Sequence, residues 1–174
     1  MSIAIRPYAL GDAPALFEAA TESIPDVFPW LPWCHPAYRL EEAQAWVEKQ
    51  VAAFARAEEF EFVIQSPSGR FLGGCGINLV DRTHLRANLG YWVRSSAVGQ
   101  SVAPAAAVMA ADWAFAHTDL VRLEIITAVE HVRSQRVAEK TGALREGVHR
   151  RRLLLHGVHH DAVVFSLLRP AGSA

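Results

Sequence analysis

The sequence predicts a mixed α/β domain, and three observations carry the prediction. Apolar residues switch between strand-like alternation and helix-like spacing in the order β-α-α-β-β-β-α-β-α-β-β. Three central strands follow one another through short connections, which predicts an antiparallel meander. A strand over 86–94, a helix over 103–117 and a strand over 122–129 have the form of a right-handed crossover, which lays the two strands parallel.

Each element has its local reason. "IAIRPY" (Ile3–Tyr8) alternates as a short strand. In "GDAPALFEAATE", Asp12 is a natural N-cap, Pro14 suits a first turn, and Ala15, Leu16 and Ala19 form a helical stripe. The next segment, "SIPDVFPWLPWCHPAYRL", is rich in proline and aromatic side chains, and its prolines oppose a long helix or a central strand. Such a loop is expected to line or cover something apolar, with Cys34 partly exposed. Ala43, Trp46, Val47, Val51 and Phe54 define the clearest helix. "EFEFVIQS" places Phe60, Phe62 and Ile64 on one face of a strand. "FLGGCGINLV" and "ANLGYWVR" follow as strands, and Gly73, Gly74 and Gly76 signal close packing or a bulge.

The helix over 103–117 is expected to bury Val102, Ala106, Met109, Ala110 and Trp113. "RLEIITAV" is a strand, "RSQRVAEKTGA" a helix stopped at Gly142, and "HRRRLLLHGVHHDAVVFSLL" a strand pair turning at His156–Gly157.

The bulk properties set bounds. The 174 residues are expected to form one domain (1–174), with 51% hydrophobic and 20% charged residues, as in ordinary globular proteins. A net charge of −1 gives no general attraction to nucleic acid or anionic membrane. The first residues lack a signal-peptide core, and no apolar run reaches the roughly 18 residues of a membrane span, so a cytoplasmic location is expected. Cys34 and Cys75 lack metal spacing and have no adjacent activating base. The "HGVHHD" turn scatters its side chains, so no metal site is expected.

The chemistry concentrates around "SAVGQSVAP" (Ser96–Pro104), which joins "NLGYWVR" to an Ala-rich helix. "LGYWVR", the loop and "RLEIITAVEHVRSQRVAEKTGALREG" together resemble the GNAT acyltransferases, in particular the RimJ/RimL-like branch that acetylates protein N-termini. The "FPWLPW" segment ahead of "LEEAQAWV" belongs to the same resemblance, which covers nearly the whole chain. It implies the GNAT fold: a mixed, mostly antiparallel sheet with two splayed parallel central strands and flanking helices. It also implies acetyl-CoA as co-substrate, no metal, and direct acetyl transfer to an amine acceptor, either a peptide N-terminus or a small molecule. Dimers are frequent in this fold, although the sequence defines no interface.

The resemblance places Trp92, Val93 and Arg94 beside pantetheine, with an N–H near Val93 facing the thioester carbonyl. It places Val98, Gly99, Gln100, Ser101, Val102 and Ala103 around the pyrophosphate, at a helix N-terminus. Val98 stands where the family has Arg or Gln, Ser101 where it has Gly, and His131 where it usually has an Asn that contacts pantetheine. Ser134 is the candidate to protonate the leaving thiolate; its alternative role is helix capping. Glu124 is a candidate base, with a solvated or paired strand carboxylate as its alternative, and Thr127 a candidate to order a water. Trp30, Trp33 and Tyr91 are candidate acceptor-side residues. Two other readings remain: a GNAT-fold binding module without catalysis, and an acyltransferase for an antibiotic or polyamine.

Overall fold

The computed structural model describes residues 2–170. Along the chain run β1 (Ala4–Pro7), α1 (Ala13–Val27), α2 (Leu40–Ala55), β2 (Phe60–Gln65), β3 (Phe71–Asp81), β4 (Arg86–Val93), α3 (Val102–His117), β5 (Arg122–Ala128), α4 (Val132–Lys140), β6 (Leu144–Leu155) and β7 (Val158–Leu168). This is the order the periodicity predicts. The strands form one sheet ordered β1-β2-β3-β4-β5-β7-β6, in which β4 and β5 are parallel and every other neighbouring pair is antiparallel.

Strand alternation sorts the core onto the two faces of the sheet. Phe60, Phe62 and Ile64 of β2 join α3 in the larger cluster, while Val63 faces α1 and α2 with Tyr8, Leu16 and Val47. The prediction of Met109 as a buried residue of α3 is corrected. Met109 is 39% exposed, and the sheet-facing stripe is Val102, Ala106, Ala107, Ala110, Ala111 and Ala114. These small side chains let the helix lie close to the glycine-bearing β3 strand. Trp113 closes the far end, with its ring centroid 4.9 Å from that of Phe60 and 5.1 Å from that of Phe62.

Two further expectations change. α1 continues through Pro25 to Val27 instead of stopping before the proline segment. Pro25 sits in the last turn, where its missing N–H costs a single bond, and Val27 packs with Ala20 and Cys34 beyond it. Cys34 is fully buried, and its thiol donates to the Ala20 carbonyl at 3.3 Å. Burial pushes this thiol up to about 11, so it is inert.

Asp12 does stand at the N-cap of α1, but its carboxylate makes no cap bond. It instead receives Arg6 through two bonds of 2.7 Å and the Ala9 N–H at 2.7 Å, tying β1 to the helix start.

Candidate active site

The parallel pairing of β4 with β5 covers only Arg86–Arg122, Ala87–Leu123 and Asn88–Glu124. Beyond Asn88 both strands continue without each other, β4 to Val93 and β5 to Ala128. The gap opens into a groove of about 520 Å³. Backbone groups on these facing edges have lost their ladder partners, a cost that a bound chain of amides would offset. The Arg94 N–H bonds the Leu72 carbonyl at 2.8 Å on the β3 side. Strand alternation therefore turns the N–H groups of Val93 and Tyr91 toward the groove. On the opposite wall the Thr127 hydroxyl is buried with no hydrogen-bond partner among the described residues. An orphaned buried hydroxyl costs on the order of 1–3 kcal/mol, which a ligand or water would recover.

The groove runs to the start of α3. Gly99 has φ +82° and Ser101 has φ 59°, ψ 23°, so the chain makes two left-handed steps before the helix. Ser101 thus takes the conformation that glycine adopts without strain. Among the described residues nothing accepts a hydrogen bond from the N–H groups of Gly99, Gln100, Ser101, Val102 or Ala103. Together with the helix dipole they form a concave array of donors suited to an anion. Val98, Gly99, Ser101, Val102 and Ala103 line the groove. The Gln100 side chain turns away and donates to the Ser96 carbonyl at 3.1 Å. The loop has no cation, but Arg133, Arg136 and Lys140 of α4 line the same groove. Sequence reading missed this compensation, because it requires knowing that α4 lies along the opposite bank.

Ser134 occupies the third residue of α4, with His131 at the cap position, so the capping alternative is set aside. Its Oγ lies 3.1 Å from the Tyr91 hydroxyl, which also donates to the Ser134 carbonyl at 3.0 Å. Tyr91 and Ser134 both line the groove, and burial pushes the phenol up to about 12, so it holds its proton at neutral pH. The His131 ring makes no cap bond. It stacks on Trp30 with centroids 4.2 Å apart and planes 1° from parallel. Burial, reinforced by Arg133, lowers its pKa to about 4, so the ring is neutral.

Trp30 and Trp92 both face the groove. Trp33 lies outside it, edge-on to Trp92 at 5.4 Å and to Tyr38 at 5.6 Å, so its expected place in the acceptor wall is not what the geometry shows. The structure also turns two other predicted residues away. Arg94 is 4% exposed and reaches Glu18 at 2.9 Å, the Phe71 carbonyl at 3.0 Å, and Glu22, whose carboxyl it holds near 2. Arg94 is the anchor that fastens α1 to the end of β4. Glu124, at the apex of the splay, is held by Arg122 at 2.8 Å and Arg86 at 3.8 Å, and does not line the groove.

The histidine-rich turn is likewise dispersed. His156 Nε2 meets the Phe28 carbonyl at 2.9 Å, His160 lies 3.5 Å from Glu130, and Asp161 accepts the Arg151 N–H at 2.8 Å.

Comparison with known proteins agrees with this geometry. Residues 2–144 match the acetyltransferase (GNAT) domain. The chain is 30% identical over 134 residues to "Probable N-acetyltransferase YjcK" of Bacillus subtilis (strain 168), covering 76% of this chain and 70% of that one. It is 34% identical over 101 residues to "Putative ribosomal N-acetyltransferase YdaF" of the same organism, covering 58% of this chain and about half (55%) of that relative. Mycobacterium smegmatis RimJ in complex with CoA-disulfide superposes with TM-score 0.84 at 25% identity, over 95% of this chain and 81% of that one. RimL, the ribosomal L7/L12 alpha-N-protein acetyltransferase, in complex with coenzyme A, shares the fold with TM-score 0.86 at 20% identity, over 97% and 94% of the two chains. With the splayed strands, the donor loop and the domain match in agreement, the chain belongs to the GNAT acetyltransferase family.

Proposed function

We propose that this protein is an acetyl-CoA-dependent N-acetyltransferase that passes the acetyl group directly to a primary amine, on a protein N-terminus or a small molecule. The observation that carries this reading is the continuity of one groove, from the unpaired edges of β4 and β5 to the free N–H groups of residues 99–103. A ligand with an amide-rich arm and a pyrophosphate matches both ends. Pantetheine lies as a surrogate strand beside β4, the pyrophosphate rests on the loop, and the α4 cations supply the charge that Val98 does not.

The Val93 N–H faces the thioester carbonyl and stabilises the oxyanion. A neutral amine attacks, the C–N bond forms and the C–S bond breaks. Ser134, backed by the Tyr91 hydroxyl, gives a proton to the departing thiolate and regains one from the water that receives the amine proton. The amine proton leaves through water, for which the unpartnered Thr127 hydroxyl offers a site. Trp30, Leu31 and Trp92 form an apolar wall, which suits a peptide N-terminus better than a polyanion. The name of the relative YdaF, "Putative ribosomal N-acetyltransferase", favours a protein acceptor.

A thiol-release assay with acetyl-CoA over a panel of N-terminal peptides and small primary amines tests this. Turnover with peptides supports the N-terminal acceptor, and turnover with polyamines or aminoglycosides alone replaces it. Absence of turnover with every amine overturns the enzymatic reading.

A further inference from the structure

One charge in the groove matches neither end of the cofactor's reactive arm. Among the described residues, Asp26 in the last turn of α1 supplies the only carboxylate that lines the groove, beside the cations Arg133, Arg136 and Lys140 of α4. A pyrophosphate gains from those cations and from the free N–H groups of residues 99–103, whereas a carboxylate repels it. The thioester donates no hydrogen bond, so it gains nothing from Asp26 either.

Asp26 is held from both banks. Its Oδ2 accepts the Ser95 Oγ–H at 2.5 Å. Ser95 lies two residues beyond Val93, a chain distance of at most about 7 Å. The Ser95 N–H also donates to Ser23, one turn earlier on α1, at 3.0 Å. On the other side the Asp26 Oδ1 lies 3.5 Å from Nη1 of Arg133, the residue before Ser134. The carboxylate therefore touches both segments that carry the transfer: the one with the oxyanion donor and the one with the group that protonates the thiolate.

Capacity for a ligand is left over. A carboxylate offers about four lone-pair sites, and these contacts use two. The Arg133 contact is at the limit of hydrogen-bond length, and the two side chains are 75% and 45% exposed, so the pair is loosely held. Val27, Trp30 and Leu31, which follow Asp26 in the chain, are apolar and line the same groove. A solvent-reaching carboxylate beside an apolar wall matches the second reactant. A primary amine at neutral pH is mostly an ammonium ion, since α-amino groups titrate near about 8 and alkyl amines near about 10.

We propose that Asp26 captures the acceptor amine, accepting an N–H of its ammonium form and holding the nitrogen beside the thioester at Val93. The inference rests on the acetyl-transfer reading above and names the site of the second substrate. Asp26 takes no proton. The ammonium gives one proton to water, the neutral amine forms the C–N bond as the C–S bond breaks, and the second proton leaves to water as described. Because the carboxylate favours the ammonium, its contribution is to capture of the acceptor and not to the rate of transfer.

Steady-state kinetics with the amine that the wild type turns over fastest, together with calorimetry, tests the assignment. Asp26→Asn keeps an acceptor for Ser95 but removes the charge. It is expected to raise the KM for the amine on the order of tenfold, the loss of one charge-assisted hydrogen bond. Its kcat stays within about threefold of wild type, and its acetyl-CoA affinity is undiminished. With CoA bound, the wild type binds the acceptor on the order of tenfold more tightly than the same molecule lacking its amino group, and Asp26→Asn binds the two alike. The proposal is overturned if the variant keeps the wild-type KM, or if it keeps the preference for the amino group. It is equally overturned if kcat and acetyl-CoA affinity fall in step with the rise in KM, the pattern of a side chain that only ties the loop to α1. A wild-type protein that binds acetyl-CoA but transfers to no amine removes the reading on which the inference rests, whereas transfer with an unchanged KM in the variant removes the inference alone.

Discussion

Ser101 holds a left-handed conformation at the mouth of the groove, where its Cβ costs about 1–2 kcal/mol relative to an unstrained residue. Ser101→Gly is therefore expected to stabilise the fold by ~1 kcal/mol in urea unfolding, with the free N–H array intact and acetyl-CoA affinity undiminished. A destabilised variant would show that the hydroxyl has a structural role the geometry does not reveal. Ser134 carries the opposite expectation: Ser134→Ala lowers kcat roughly 10²-fold and leaves acetyl-CoA binding unchanged. Tyr91→Phe shows a smaller fall, because Ser134 keeps its own proton.

His131 makes a pH prediction. Its pKa drops from 6.5 unfolded to about 4 folded, so the unfolded chain binds the proton more readily between those values. Its stabilising contribution is complete above about 6.5 and falls away as pH drops toward 4. Thermal unfolding followed across that range shows this slope in the wild type, and His131→Asn flattens it. At this scale the sequence pointed to Ser134, Gly99, Ser101 and His131 because each lies inside a contiguous motif. It could not reveal that Tyr91 meets Ser134, because that encounter depends on strand register and on which bank α4 occupies.

At the scale of elements, the order of strands and helices was legible throughout, because alternation and helical spacing are both strong here. The face of α3 was not. Its apolar residues surround the helix, and only the close approach to the sheet selects the alanines over Met109. Proline likewise misled at Pro25, because near a helix end the packing of Val27 outweighs one missing bond. α1 does more than cover the sheet. Arg94 joins Glu18 and Glu22 on it, the Ser96 N–H donates to Glu22 at 2.9 Å, and the Ser95 N–H donates to Ser23 at 3.0 Å. These bonds set where β4 ends and the anion loop begins. Arg94→Met leaves Glu22 and Glu18 without their cation and is expected to cost about 2–3 kcal/mol, below the figure for a wholly buried pair because both carboxylates reach solvent. Calorimetric melting measures the cost, and a melt unchanged from wild type would remove the anchor role. Glu22 adds an acid limit. Its carboxyl is depressed from 4.5 to about 2, so its contribution is present above 4.5 and is lost as pH falls through 2.

For the whole molecule, the functional arrangement is a sheet with one deliberate fault. Three paired positions hold β4 to β5, and their separation beyond Asn88 creates a groove between the faces carrying α1 and α4. The stack of Trp30 on His131 and the 3.5 Å contact of Asp26 with Arg133 join the two sides above it. A ligand between these walls satisfies orphaned groups on both strands at once, so binding should also tighten the fold by mass action. Isothermal titration calorimetry with acetyl-CoA tests this most directly. Saturable binding at one site per chain is the predicted result, weakened by raised salt if, as proposed, the α4 cations meet the phosphates. No heat and no saturation at ligand concentrations on the order of 1 mM, a level set against ordinary cofactor affinities, would contradict the claim that this groove is built for the cofactor.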